Sequence, residues 1–189
     1  MNPKDARAAR SRRSLLDASL ELFLQKPTAS MSEVAVHAGV GRATLYRHFD
    51  TREALIKALI IDCLQTTEEA VAPIRTLELN AKETIIKILY AVIPLADRYH
   101  FLLSLWNIAS EDPEALEIYN QQLTELYTLV ETAKLEGHIK QHLNTEWIVS
   151  TIDSLIYSAW WMLGQEKITQ QEAIQHIVET LFNGVGQPH

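Results

Sequence analysis

The stretch that decides the fold spans residues 30–49 and reads SMSEVAVHAGVGRATLYRHF. Glu33 follows Ser30 by three residues, a spacing that lets each side chain bind a free backbone N–H at the start of a helix. Gly39 can adopt the left-handed conformation that ends such a helix. Ala35 is small where two helices would approach closely, and Val34, Val40 and Leu45 would form the apolar wedge between them. The stretch therefore predicts two short helices, about 31–38 and 42–48, joined by a tight turn.

The outward side of the second short helix is small, hydroxylic or basic. It should present Arg42, Ala43, Thr44, Arg47 and His48. Such a surface suits the major groove of duplex DNA, which is about 12 Å wide. Arg42 is the first candidate for a base contact, because its guanidinium matches O6 and N7 of guanine. Thr44, Tyr46, His48 and Arg52 are candidates for phosphate contacts. The unit is thus predicted to be a helix-turn-helix that binds double-stranded DNA.

The charge of the chain is divided unevenly. Residues 1–57 carry ten Lys or Arg against six Asp or Glu, whereas the rest of the chain is strongly acidic and the net charge is -7. A basic N-terminal part on an acidic body indicates that only the N-terminal part meets a polyanion. Chance clustering of solvated charges is the alternative interpretation.

Apolar positions recur at helical spacing along nearly the whole chain, which predicts an all-α protein. We expect an N-terminal three-helix head joined by a fourth helix to a helical body for ligand binding and dimerisation. The predicted domains are 1–54, which binds DNA, and 55–189, which binds an effector and dimerises. The predicted helices are 9–25, 31–38, 42–48 and 51–71, followed by 81–94, 95–110, 113–136, 146–163 and 170–182.

Motifs within residues 12–59 resemble the TetR/AcrR family of bacterial transcriptional repressors. The matching segments are AGV at 38–40, TLYRHF at 44–49, REAL at 52–55 and LLDASLELF at 15–23. The resemblance implies a homodimer whose two heads occupy successive major grooves of a palindromic operator. It also implies a body that binds a small molecule and then releases the DNA, so that the protein would act as a repressor.

The resemblance also assigns roles to single positions. Thr44, Tyr46 and His48 match phosphate contacts, Arg42 matches a base-reading position, and Arg12 or Arg13 matches the basic lead-in to the first helix. Arg52 stands where a lysine is usual in the family. Three further features depart from the family pattern: Gly41 replaces a Ser or Thr cap, Ser32 replaces an arginine, and residues 25–27 lack the usual glycine. The predicted DNA-binding set is Arg12, Arg13, Ser32, Arg42, Ala43, Thr44, Tyr46, Arg47, His48 and Arg52.

The last two predicted helices are more apolar than a surface helix requires. We expect them to pair with their copies in a four-helix dimer interface. The predicted interface residues are Trp147, Ile152, Leu155, Ile156, Ile174, Ile177, Val178 and Leu181. A monomeric core is the alternative.

Aromatic side chains concentrate between residues 99 and 161 and could line a pocket for a small apolar or aromatic effector. The predicted lining is Tyr99, Phe101, Trp106, Asn107, Tyr119, Tyr127, Tyr157, Trp160 and Trp161. A solid core would use the same side chains, and that interpretation stays open.

Several classes of protein find no support in the sequence. Cys63 is the single cysteine, which excludes an intrachain disulfide framework and a multi-cysteine zinc site. We find no apolar run long enough for a membrane span and no pattern of a secretory signal, so we expect a cytoplasmic protein. No catalytic or cofactor-binding motif occurs, and no enzyme activity, cofactor or metal is predicted. The alternatives are a DNA-binding protein without effector or sequence preference and, more remotely, an enzyme.

Overall fold

The structure, a computed structural model, describes residues 3–184, with side chains from residue 11 onward. Every regular element in this range is helical, which confirms the predicted all-α class. The α-helices are α1 (Pro3–Gln25), α2 (Met31–His37), α3 (Arg42–His48), α4 (Arg52–Val71), α5 (Ala81–Val92), α6 (Ala96–Ser104), α7 (Trp106–Ala109), α8 (Pro113–Leu135), α9 (Thr145–Gly164) and α10 (Gln170–Phe182). Short 3-10 turns cover Ala72–Thr76 and Ile93–Leu95.

The chain forms two compact units. The first contains residues 1–63 and 101–115, and the second contains residues 64–100 and 116–189. This division differs from the predicted boundary after residue 54 in two ways. The first half of α4 belongs to the first unit, and so does a segment that lies far along the chain, from residue 101 to residue 115.

The start of α2 and the turn after it follow the predicted chemistry. The Glu33 amide donates to Ser30 Oγ, and the Ser30 amide donates to Glu33 Oε2 at 2.8 Å, so the predicted capping box is present. Gly39 has φ +66°, the left-handed conformation expected at the end of this helix. The Val40 amide then bonds back to the Ala35 carbonyl at 2.9 Å, which closes the turn.

The first unit has a small apolar core built from its helices. Leu16 of α1, Val34 of α2, Leu45 of α3 and Leu59 of α4 have no exposed surface at all. Each such side chain contributes about 1.5–3 kcal/mol when it leaves water. Because one of these residues comes from each helix, the core fixes α3 against its three neighbours.

The second unit buries its own apolar core between α5, α8, α9 and α10. Ile152 and Ile156 of α9 and Ile174 and Ile177 of α10 lie in this core. Capping boxes begin two of its helices, Asn80 with Glu83 at α5 and Thr169 with Glu172 at α10. None of the described helices has the length and apolar character needed to cross a membrane.

One predicted helix is interrupted. Residues 95–110 were expected to form a single helix, but α6 ends at Ser104 and α7 begins at Trp106. Leu105 between them leaves the helical conformation, with φ −118° and ψ 21°. The segment contains neither glycine nor proline, so the sequence carries no local signal for this break.

Candidate nucleic-acid interface

Most side chains of helix α3 are exposed or half-buried. Leu45 is its one buried residue, and it anchors the helix in the core of the first unit. Gly41 is the N-cap, with φ −69° and ψ 147°, and it supplies no side-chain hydrogen bond. The Thr44 and Leu45 amides turn back to the Gly41 carbonyl, so the helix begins without a side-chain cap. A ligand that approaches its N-terminus therefore meets no capping side chain.

The side chains predicted to face DNA do lie on the outside of α3. Arg42, Ala43 and Arg47 are exposed, Tyr46 is 44% exposed, and Thr44 and His48 are half-buried. Two guanidinium groups, two hydroxyl groups and one imidazole thus share a short surface. This combination can donate hydrogen bonds to base edges and to phosphate oxygens.

The neighbouring elements hold α3 in place. Val34 and Ala35 of α2 are buried behind it, and Phe49 directly after it is 3% exposed. The guanidinium of Arg12 lies 5.3 Å from the centre of the Phe49 ring, a cation–π distance, while the Arg12 side chain stays exposed. Arg12 therefore lies beside the C-terminal end of α3, where it can still reach an anion.

Arg52 occupies a structural position that the sequence reasoning missed. Its Nε donates to the Ala29 carbonyl at 3.0 Å and its Nη2 donates to the Pro27 carbonyl. Its guanidinium also lies 5.1 Å from the centre of the Phe23 ring. These contacts tie α4 to the loop between α1 and α2. Two nitrogens of Arg52 are thus directed at the protein, and a phosphate contact by this residue stays a prediction.

Arg13 makes an ion pair within the first unit, and its predicted role in DNA binding stays a prediction. Its Nη1 lies 3.1 Å from Oδ1 of Asp62 on α4, whose side chain is only 8% exposed. A weaker pair with Asp17 on the same helix has Nε and Oδ1 3.8 Å apart. Arg13 therefore compensates a buried carboxylate, while Arg12, Arg42 and Arg47 remain exposed.

The start of α2 adds little positive charge to the exposed surface of α3. Ser32 is half-buried in the first turn of α2. Next to it, the Lys26 ammonium and then the Ser30 amide hydrogen-bond the Glu33 carboxylate and lower the pKa of Glu33 to about 2. Glu33 is therefore ionised at neutral pH, and Lys26 is held by it. Ser32 of α2 and the predicted DNA-binding residues of α3 all lie in the first unit.

Most of the residues predicted for the dimer interface lie in the core of their own chain or pack against it. Ile152, Ile156, Ile174 and Ile177 are buried in the core of the second unit, and Leu155, Val178 and Leu181 pack against that core. Trp147 differs, because 69% of its surface is exposed. The other side chains of the set therefore belong to the core of the second unit or pack against it, and the four-helix dimer interface stays a prediction. The exposed side of α9 carries Trp147, Ser150, Ser154, Ser158 and Trp161.

The predicted pocket residues are divided between the two units. Phe101, Trp106 and Asn107 belong to the first unit, where Phe101 is buried and stacks on Phe23 with ring centres 6.4 Å apart. The other six lie in the second unit: Tyr99, Tyr119, Tyr127, Tyr157, Trp160 and Trp161. The unit boundary thus falls within α6, between His100 and Phe101, and divides the nine predicted residues into sets of three and six.

A carboxylate that the sequence reasoning missed lies among these aromatic residues. Asp153 of α9 is half-buried and accepts a hydrogen bond from the Tyr99 hydroxyl. Burial raises the pKa of Asp153 above its usual range, and the Tyr99 bond opposes this only in part. Burial also raises the pKa of Tyr99 and of Tyr119. Among the described residues, no group of three His, Cys, Asp or Glu side chains could hold a metal ion.

A segment of the first unit matches a known protein family. Residues 15–59 fit the model of the bacterial regulatory proteins of the tetR family. The chain is 42% identical over 50 residues to the HTH-type transcriptional repressor LfrR of Mycolicibacterium smegmatis, and the match covers 26% of each protein. The aligned part is thus about a quarter of that curated relative's length.

Solved structures share the fold along almost the whole chain. The TetR-like regulator LfrR from Mycobacterium smegmatis in complex with proflavine has a TM-score of 0.76 at 19% identity, over 96% of this chain and 99% of that one. FadR from Bacillus subtilis in complex with stearoyl-CoA has a TM-score of 0.66 at 20% identity, over 92% and 99%. Residues 15–59 therefore match the tetR family of bacterial regulatory proteins, and the chain as a whole shares the all-helical fold of these solved structures.

Proposed function

We propose that the protein is a sequence-specific DNA-binding transcriptional repressor that a small-molecule effector releases from a palindromic operator. The first unit would bind DNA through α3, and the second would dimerise and bind the effector. The observation that carries this proposal is the surface of α3, which buries Leu45 alone and presents Arg42, Arg47 and Tyr46 outward. Such a helix is anchored by one buried leucine and presents hydrogen-bond donors on its exposed side, which suits it to enter a major groove.

Selection of bound sequences from a random duplex pool tests this proposal. We expect an inverted repeat to be enriched, because a symmetric dimer places two copies of α3 about 34–36 Å apart, one turn of the double helix. Equal affinity for random and selected duplexes at a fixed salt concentration would instead support a DNA-binding protein without sequence preference. A failure to retain any duplex at low salt would contradict DNA binding altogether.

Replacing Arg42 with alanine should relax the sequence preference at one position of each half-site. A bidentate contact from a guanidinium to guanine contributes about 1–3 kcal/mol of discrimination against other bases. The enriched sequences should therefore become degenerate at that position, while affinity for unselected duplex DNA falls only slightly. Lys140→Ala, an exposed change of equal charge in the second unit, is the matched control. An unchanged enrichment profile for Arg42→Ala would refute base reading by this residue.

We also propose that the exposed side of α9 forms the dimer interface. Trp147 lies on it, and the Ser154 and Ser158 hydroxyls donate to carbonyls of their own helix at 2.8 and 2.9 Å. Since these hydroxyls already have partners, a second copy of α9 could cover them without leaving polar groups unsatisfied. Tryptophan is also enriched among the residues that contribute most of the binding energy at protein interfaces.

Trp147→Ala should weaken the dimer about tenfold, because truncation of a buried interface tryptophan typically costs more than 1 kcal/mol. Sedimentation equilibrium would measure the dissociation constant. Tyr90→Ala on α5 is the matched control, since it removes another exposed aromatic side chain, 51% exposed, from the same unit. An unchanged dissociation constant for Trp147→Ala would mean that the dimer interface is not on the exposed side of α9.

Residues 101–115 offer a route by which an effector could influence DNA binding. They belong to the first unit, although the chain on both sides of them belongs to the second. Phe101 stacks on Phe23 of α1, and the Lys57 ammonium on α4 lies 2.5 Å from Oδ2 of Asp112. We propose that effector binding moves this segment and with it α4, which changes the spacing of the two α3 helices.

A further inference from the structure

Polar side chains link α4 to α8 at three points in the described part of the chain. The first point lies in the first unit, where the Lys57 ammonium is 2.5 Å from Oδ2 of Asp112. Asp112 directly precedes α8, and its Oδ1 accepts a hydrogen bond at 3.0 Å from the Ala115 amide in the first turn of that helix. Because one carboxylate binds both groups, it ties the start of α8 to the first half of α4.

The second point is a hydrogen bond to the backbone of α4, within the second unit. Nε2 of Gln122 on α8 donates to the Leu64 carbonyl at 2.9 Å, and this bond is partly buried. A helical carbonyl has two lone pairs and uses one for the amide four residues later, so it can accept a second donor. The boundary between the units falls within α4, directly before Leu64. Gln122 therefore holds α4 at the point where the helix enters the second unit.

The third point lies one turn further along α4. Arg75, in the 3-10 turn after this helix, donates from Nη2 to Oε2 of Glu68 at 2.8 Å and also to the carboxylate of Glu125 on α8. The hydrogen bond from Arg75 lowers the pKa of Glu68 below its usual range, so Glu68 is ionised at neutral pH. One guanidinium thus joins carboxylates from both helices.

The three points lie on one side of α4. Lys57, Leu64 and Glu68 are seven and four residues apart, spacings that return to the same side of a helix. Gln122 and Glu125 are three residues apart and likewise share one side of α8. Since α4 is a continuous helix across all three points, these links act on a single rod.

We propose that α8 holds α4 in the direction that sets the distance between the two copies of α3, with Gln122 as the positioning residue. The inference rests on the proposed function, because it names the contact that selects the spacing of the operator half-sites. The bond from Gln122 is partly buried, whereas Lys57 and Glu125 are 52% and 41% exposed and their ion pairs are screened by solvent. Without this bond α4 would adopt several directions, and the spacing of the half-sites would be selected less strictly.

The test compares the unmodified full chain with Gln122→Leu on three duplexes. These are the selected inverted repeat, the same repeat with one base pair inserted between its half-sites, and a single half-site. The insertion moves one half-site by about 3.4 Å and turns it by about one tenth of a helical turn. In Gln122→Leu the preference for the selected spacing should fall about threefold to tenfold, the factor that corresponds to the net contribution of one hydrogen bond. Affinity for the single half-site should stay unchanged, because that duplex meets only one copy of α3.

Two further variants make this test specific. Gln121→Leu is the matched control, since Gln121 is exposed on the same helix, and it should leave all three affinities unchanged. Glu125→Gln removes the carboxylate that joins α8 to Arg75 and should also reduce the spacing preference. An unchanged preference in a folded Gln122→Leu protein would overturn the proposal, and Glu125→Gln decides in the same way if Gln122→Leu does not fold. An equal loss on the repeat and on the half-site would also overturn it, because Gln122 would then act on the fold alone.

Amide hydrogen exchange in the free protein separates this inference from the proposed function. Exchange in α4 should become faster in Gln122→Leu and stay unchanged in Gln121→Leu. If an inverted repeat is bound and Gln122→Leu changes neither the spacing preference nor the exchange, the positioning role is overturned and the DNA-binding function stands. If no duplex is bound while exchange in α4 is faster in Gln122→Leu, the DNA-binding function is overturned and the hold of α8 on α4 stands.

Discussion

Replacement of Arg52 with alanine should lower the free energy of unfolding by about 2–4 kcal/mol. The part-buried hydrogen bond to the Ala29 carbonyl contributes about 1.5–3 kcal/mol because its donor is charged, and the cation–π contact with the Phe23 ring adds about 0.5–1 kcal/mol. The exposed bond to the Pro27 carbonyl adds little, because solvent screens it. Arg52 donates to the Pro27 and Ala29 carbonyls and lies over the Phe23 ring. Its removal leaves the loop between α1 and α2 without these contacts. Urea denaturation would measure the loss.

The salt dependence of DNA binding separates this structural role from a phosphate contact. The logarithm of the affinity should keep its slope against the logarithm of salt concentration in Arg52→Ala, measured where the variant is folded. Arg47→Ala is the matched control, since Arg47 is exposed on α3. It should leave stability unchanged and reduce the slope by about 1. A reduced salt slope with unchanged stability in Arg52→Ala would instead support a phosphate contact by Arg52.

Arg13→Ala should destabilise the protein by about 2 kcal/mol. Breaking a buried ion pair by removing one partner typically costs 3–5 kcal/mol, and the value is reduced here because the Arg13 side chain is 40% exposed and partly screened by solvent. The loss arises because the Asp62 carboxyl group, whose side chain is only 8% exposed, loses the guanidinium that compensates it. Thermal and urea unfolding would measure it.

A double-mutant cycle provides the control for this prediction. Asp62→Asn removes the charge that Arg13 compensates, so the variant with both changes should recover most of the stability lost in Arg13→Ala. If the two losses simply add, the ion pair contributes nothing, and Arg13 stabilises α1 in another way.

The features that the sequence predicted well are those encoded within a few residues. Ser30 and Glu33 are three residues apart, and Gly39 ends the helix that they begin, so the capping box and the turn follow from local chemistry. The exposed side of α3 was predictable for the same reason, because helical spacing around Leu45 decides which side chains point outward.

The features that were missed depend on contacts between distant parts of the chain. Arg52 bonds to carbonyls 23 and 25 residues before it. No pattern near Arg52 indicates where its side chain goes. Helical spacing identified the apolar side of α10 correctly, but it could not tell whether a second chain or the chain's own core covers Ile174 and Ile177.

The second half of α6 illustrates the same limit. Phe101 follows Tyr99 and His100 closely in sequence, yet it stacks on Phe23 in the first unit. Asp153 was overlooked because a single aspartate on a helix normally faces solvent. Only the approach of α6 to α9 places it beside Tyr99.

Methylation interference at the selected duplex tests most directly whether α3 reads DNA in the major groove. Guanine N7 lies in the major groove and adenine N3 in the minor groove, so methyl groups at the two atoms report on different sides of the duplex. We expect N7 methylation within each half-site to abolish binding and N3 methylation there to be tolerated. In Arg42→Ala, sensitivity at one guanine of each half-site should disappear. Binding that tolerates N7 methylation throughout would contradict the placement of α3 in the groove.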